Sequence, residues 1–156
     1  MTGKSILTTP LPETVVLADG TELARVLLDA DAPVIASLAP SFVAYFDGCG
    51  FSAMEEALRA IGFAGVQETA IGATLVKREY EKQLRAQEQD VILSSCCHAV
   101  NLLVRKYYPG LAEMLSPVVS PMVAHGMEIK RQQPQAKVVF IGPCIAKKAE
   151  AEESGV

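Results

Sequence analysis

Cys96 and Cys97 stand side by side, Cys144 lies far along the chain, and Lys147 follows it by three residues. Neighbouring cysteines rarely bond to one another, because closing that ring strains the peptide between them. Four cysteines in 156 residues do not suggest a disulfide scaffold. In a reducing compartment, thiols placed this way act as metal ligands, as nucleophiles or as buried apolar side chains. Which role applies is set by where the surrounding elements put the sulfurs.

Those elements alternate between strand and helix. Residues 34–39 (VIASLA), bounded by Pro33 and Pro40, read as a buried strand. Ser52 and Glu55 form a capping-box pattern ahead of a helix with Met54, Ala57, Leu58 and Ile61 on one face, which Gly62 stops. Residues 65–69 (GVQET) are a weaker strand candidate. An amphipathic helix follows, with Ile71, Leu75, Val76, Tyr80 and Leu84 on one side and an expected Glu81–Arg85 pair on the other. Residues 90–94 (DVILS) predict a strand directly before the cysteine pair. Ala99, Leu102, Leu103 and Tyr107 mark a helix that must end at or before Pro109. Ser120 and Pro121 open another, as N-cap and first helical residue, running through Met122, Val123, Met127 and Ile129. Residues 137–141 (KVVFI) predict the last strand, before Gly142, Pro143, Cys144 and a polar helical tail. Ahead of all this, residues 1–32 form a lead-in, with a short strand at 14–17 and helical spacing over 22–29.

The expected fold class is therefore α/β: a mostly parallel four-stranded sheet flanked by helices, occupying residues 33–156. In such sheets ligands gather at the carboxyl ends of the strands. Cys96 and Cys97 follow one predicted strand and Cys144 another, while Pro40 and Ser41 follow a third. A thiol at a helix N-terminus meets unpaired amides and the positive end of the dipole, which favours thiolate. Lys147, about one helical turn after Cys144, reaches the same pocket. Thiols beside an ammonium and free amides suit an iron–sulfur group with negative inorganic ligands better than structural zinc, whose paired Cys-x-x-Cys knuckles are absent.

Residues 94–100 (SSCCHAV), Tyr107-Tyr108-Pro109, Ser120-Pro121 and residues 142–150 (GPCIAKKAE) resemble, in order, the first two signature motifs of the iron-only, or [FeFe], hydrogenases. Ala39-Pro40-Ser41 and Gly62-Phe63 fit the same order, and the resemblance covers about residues 33–152. It implies an H-cluster, a [4Fe–4S] cubane joined through a cysteine sulfur to a di-iron unit carrying carbon monoxide and cyanide, which interconverts dihydrogen with protons and electrons. By motif position, Cys97 and Cys144 are the implied cubane ligands, and Cys96 passes protons to and from the di-iron unit. Lys147 hydrogen-bonds a cyanide, Pro40 and Ser41 line the di-iron pocket, and Ser116 stands in the proton route. Glu150 matches the second motif and is placed to brace its loop. Implied partners are dihydrogen and protons, an electron-transfer iron–sulfur domain or ferredoxin, and the remaining lobe of the catalytic domain.

The departures are specific. The family usually has Pro and Trp where this chain has His98 and Val100, and Met where it has Gly142. Its acidic proton-route positions fall on Tyr80 and Gln83, which tells against fast proton delivery and looks like the hydrogen-sensing members. The third cysteine motif has no counterpart after Glu152, so the chain reads as the first lobe of a two-lobed domain, truncated before that motif and inactive alone. A sensory relative binding the same cluster and an iron–sulfur assembly protein of the same superfamily are the competing readings. The second is disfavoured by retention of Lys147. A thiol-redox or nucleotide-binding domain is disfavoured by the absence of Cys-x-x-Cys, Gly-x-Gly-x-x-Gly and P-loop patterns. His98 reads as a capping or surface residue, His125 as structural and Cys49 as a loop or core thiol.

Composition narrows the class further. With 18 acidic against 14 basic residues and a net charge of -4, the chain lacks the basic face a nucleic-acid backbone wants. No apolar run reaches the ~20 residues of a membrane helix, and the expectation is a cytoplasmic protein.

Overall fold

β1 (Val34–Leu38) is buried along all five residues, as an apolar run covered on both faces must be. The described residues of this computed structural model are Leu27 and 31–154. The strand expected over 14–17 lies outside them, as does most of the lead-in over 1–32. β2 (Gly65–Glu68) and β3 (Lys137–Ile141) flank β1 in the order β2-β1-β3, both parallel to it. Leu38 stands opposite Glu68 on one side and Ile141 on the other, so the three carboxyl ends finish level.

Alternation along β1 splits the core into two faces. Val34, Ala36 and Leu38 pack with Leu58, Phe63, Val66 and Val139, where Leu58 comes from helix α1 (Phe51–Ala60). Ile35 packs with Ile129 and Ala136, beneath helix α4 (Pro121–Gln132). Helix α2 (Ala70–Ala86) lies on α4, burying Val76 with Met122, Val123 and Met127. The two helices touch at Gly72. A Cβ there would stand 2.0 Å from the Pro121 carbonyl and 2.8 Å from the His125 Cβ, so only glycine fits. Helices α3 (His98–Tyr107) and α5 (Ala146–Ser154) complete the layer that carries the site.

The observed sheet has three strands among the described residues rather than four. Residues 90–94 run past the sheet without joining it. Leu93 makes one parallel bridge to Leu115, its N–H donating to the Met114 carbonyl at 2.7 Å while Ser116 N–H returns to Leu93 O at 2.9 Å. A short apolar run looks the same in sequence whether its partner is a sheet or a loop.

Local details also differ. Helix α1 starts at Phe51, with Gly50 as N-cap and no side-chain cap. Glu55 turns outward to Arg59 instead of closing a capping box. Glu81 pairs with Lys77 at 2.9 Å rather than with Arg85, which places the acid after the base. On α3 it is His98 and Val104 that face inward, while Leu102, Leu103 and Tyr107 are exposed.

Candidate functional site

Each cysteine turn sits where an element changes. Cys97 is the N-cap of α3, and Cys144 lies between β3 and α5. Lys147 joins them. Its backbone N–H donates to the Cys144 carbonyl at 3.1 Å, and its ammonium donates to the Cys96 carbonyl at 3.1 Å. The two turns, some fifty residues apart in sequence, are thereby held at one edge.

The ammonium also donates to Glu150, one turn along α5. The Lys147 and Glu150 side chains are only 15% and 11% exposed. An ion pair this sheltered persists because each charge is compensated by the other and by further hydrogen bonds. The Cys96 carbonyl is that further partner. Two of the three ammonium donors are used among the described residues, and the third is available to an acceptor.

Cys97 and Cys144 are free and exposed, and Cys96 is half-buried. Cys144 and Lys147 line a cavity of about 380 Å³, together with Ser37, Phe140 and Gly142. Cys96, Cys97, Pro40 and Ser41 do not line it. Pro40 and Ser41 lie in a 3-10 turn, Pro40–Ala44, that leaves β1. Ala39 N–H donates to Ile141 O at 2.9 Å, which sets this turn beside the loop carrying Cys144. A Cβ on Gly142 would stand 2.8 Å from the Phe140 ring and 2.9 Å from Ala39 Cβ. Phe140 thus occupies the space a methionine at this position would need.

Ser116 is buried and donates to Gln83 Oε1 at 2.9 Å. One turn back on α2, Tyr80 Oη lies 3.5 Å from Cys96 Sγ. Glu79 and Glu81, on the same helix, pair with Lys82 and Lys77. The residues meeting Cys96 and Ser116 from α2 are therefore a phenol and an amide.

Both histidines are buried, and only His98 departs from expectation in this. His98, expected at the surface or as a cap, is buried with Nε2 3.6 Å from Glu153. Its neighbour Glu153 sits on α5, so burial follows from α3 and α5 packing together rather than from anything local. His125 is fully buried. Its Nε2 faces Gln67 Oε1 at 3.1 Å and its Nδ1 faces Ser37 Oγ at 2.7 Å, while Ser37 Oγ lies 2.8 Å from Thr69. Burial pushes its pKa down to about 4, against a smaller upward pull from Glu128. The ring is neutral at pH 7, and donating from Nε2 to Gln67 lets Nδ1 accept from Ser37. Polar residues inside an apolar strand and helix, Ser37 and His125, are the sequence signal for this pairing.

The chain's residues 16–156 match the model of the family described as iron only hydrogenase large subunit, C-terminal domain. The chain belongs to that family. Two solved structures share its fold at a TM-score of 0.59 and 22% identity. One concerns [FeFe]-hydrogenase oxygen inactivation through modification and degradation of the H cluster 2Fe subcluster, and 84% of this chain covers 39% of it. The other concerns stepwise H-cluster assembly in HydA(deltaEFG), where 85% covers 40%. This hydrogenase-family chain thus spans about two fifths of the length of the structures it matches.

The residues present meet part of what an iron–sulfur cubane requires. Cubanes are held by four thiolates. Here Cys97 and Cys144 offer exposed sulfurs at turns joined by Lys147, and among the described residues no group of three or more His, Cys, Asp or Glu gathers around one point.

Proposed function

We propose that this chain is the thiol-bearing lobe of an [FeFe]-hydrogenase-type oxidoreductase, which holds an H-cluster jointly with a second lobe and interconverts dihydrogen with protons and electrons. The observation that carries the reading is the Lys147 bond to Cys96 O, which draws both cysteine turns to one edge. Cys97 and Cys144 are the cubane ligands supplied from this side. The third Lys147 donor serves a cyanide, Pro40 and Ser41 line the di-iron pocket, Cys96 carries the proton and Ser116 belongs to its route. When bound, the cluster supplies the redox-active iron at which dihydrogen is split. Electrons leave to an iron–sulfur domain or a ferredoxin, in a cytoplasmic setting.

The edge itself supports a docked lobe. Val43 is 61% exposed, Tyr45 71% and Ile145 81%, all in the turns that carry Pro40, Ser41 and Cys144. Large apolar side chains gathered at a functional rim mark a surface that another body covers. Among the described residues, no helix is long and apolar enough to cross a membrane.

A hydrogen-sensing role at the same cluster is the second reading. It is favoured by Tyr80 and Gln83 contacting Cys96 and Ser116 where a carboxylate relay would speed proton exchange.

The deciding experiment is anaerobic maturation of the longer parent protein, with infrared spectra searched for metal-bound carbonyl and cyanide bands. The bands are expected, and they should weaken in Cys97→Ser and Cys144→Ser. Their absence after proper maturation overturns both readings. The 156-residue chain alone should evolve no hydrogen.

A further inference from the structure

Four polar atoms meet the phenol oxygen of Tyr80. The Ser95 N–H donates to it at 2.9 Å, the Ser94 and Ser95 hydroxyls lie 3.2 Å away, and the Cys96 sulfur lies at 3.5 Å. Counting protons orders these contacts. Ser95 Oγ donates to the Val118 carbonyl at 2.6 Å, so toward Tyr80 it can only accept. A phenol has one proton and can accept through its oxygen. The Ser95 N–H takes one lone pair, and the phenol proton goes to a serine oxygen, a nearer and stronger acceptor than sulfur. Ser94 is exposed and has water for its own proton. That arrangement leaves a lone pair open to the Cys96 S–H, 3.5 Å away.

We propose that Tyr80 is a positioning residue that holds the Cys96 thiol hydrogen toward α2 and fixes the 94–97 turn. A thiol held in this way must break that bond before its proton goes elsewhere. Gln83 ties down Ser116 in the same manner one turn along α2, its amide oxygen accepting the hydroxyl. The proposal rests on reading Cys96 as the proton-carrying thiol, but its structural content concerns this chain's own atoms.

The test is infrared spectroscopy of the reduced 156-residue chain in the S–H stretching region, with Cys96→Ala identifying the Cys96 band. Tyr80→Phe keeps the ring, which packs against the α2–α4 core, and removes only the oxygen. The Cys96 band should move to the higher frequency of a thiol without an acceptor. The Ser95 amide should exchange with deuterium roughly two- to tenfold faster, the factor carried by one net hydrogen bond. Ser94→Ala should leave both readings at the wild-type values. A Cys96 band unmoved in Tyr80→Phe overturns the proposal, as does an equal shift in Ser94→Ala. A Ser95 amide that exchanges in the wild-type chain as fast as in a free peptide overturns it without any variant. None of these measurements needs a cluster. Missing carbonyl and cyanide bands in the parent protein would therefore remove the functional reading and leave the S–H result standing.

Discussion

Replacing Lys147 with methionine isolates the contact that joins the two cysteine turns. The substitution keeps most of the aliphatic stem and deletes the ammonium, leaving Glu150 as a carboxylate only 11% exposed and the Cys96 carbonyl without its donor. Removing one partner of a buried pair costs about 3–5 kcal/mol. The residual exposure lets some water reach Glu150, so the expected loss lies at the lower end, about 3 kcal/mol. In a domain of this size that lowers the melting temperature by roughly 6–12 °C. The double variant Lys147→Met, Glu150→Leu removes both charges, and well-packed apolar replacement of a buried pair is close to neutral. It should therefore be at least about 2 kcal/mol more stable than Lys147→Met, and with Glu150→Leu as the second single variant the double-mutant cycle gives the coupling energy. Urea and thermal unfolding followed by circular dichroism, at pH 7 under reductant, measure both quantities. A single variant that loses less than about 0.5 kcal/mol would place Lys147 with ordinary surface pairs. A double variant no more stable than the sum of its parts would show that the two charges do not act on each other.

Three further outcomes follow from packing and burial. Gly72→Ala places a methyl against the immovable Pro121 carbonyl. It should cost about 1–3 kcal/mol in urea unfolding, despite the gain of up to about 1 kcal/mol that alanine brings to a helix interior. Gly142→Met should destabilise the chain, and Phe140→Ala in the same molecule should recover part of the loss, because the Phe140 ring fills that space. Acid should weaken the fold in two stages. His125 is held at about 4 from a normal 6.5, so the unfolded chain binds its proton first and stability falls as pH drops from 6.5 toward 4. The loss is at most about 3 kcal/mol. Glu128 is held at about 2 by its hydrogen bonds from Arg131 and Gln132, and its contribution is lost progressively as pH falls from 4.5 toward 2. The His125 ring resonances should stay at their neutral positions at pH 5.5, and a protonated ring there would refute the assignment.

How far the sequence could be read depended on how local the cause was. Strands at 34–38 and 137–141 were legible because each is a largely apolar run bounded by Pro or Gly, whereas 65–68, with Val66 as its one large apolar residue, was the weaker expectation. The start of α4 was legible because Ser120 caps it by accepting from the Val123 N–H. Residues 90–94 carry an equally apolar run, yet their backbone bonds go to Met114 and Ser116 instead of the sheet. Leu102 and Leu103 have helical spacing but an exposed face, since periodicity shows that an apolar stripe exists and not what covers it. The candidate residues were visible as types and spacings, whereas the phenol of Tyr80 beside Cys96 and the burial of His98 against α5 were not.

The order of the elements, the thiols at their ends and the lysine one turn beyond Cys144 are properties of the sequence alone, because each follows from neighbours a few residues away. The bond from Lys147 to Cys96, the neutral His125 under Ser37 and the glycine contact between α2 and α4 belong to the tertiary structure. Each joins groups about fifty or more residues apart. A pattern in the sequence names the partners available, and only the packed sheet and helices decide which of them come within 3 Å of one another.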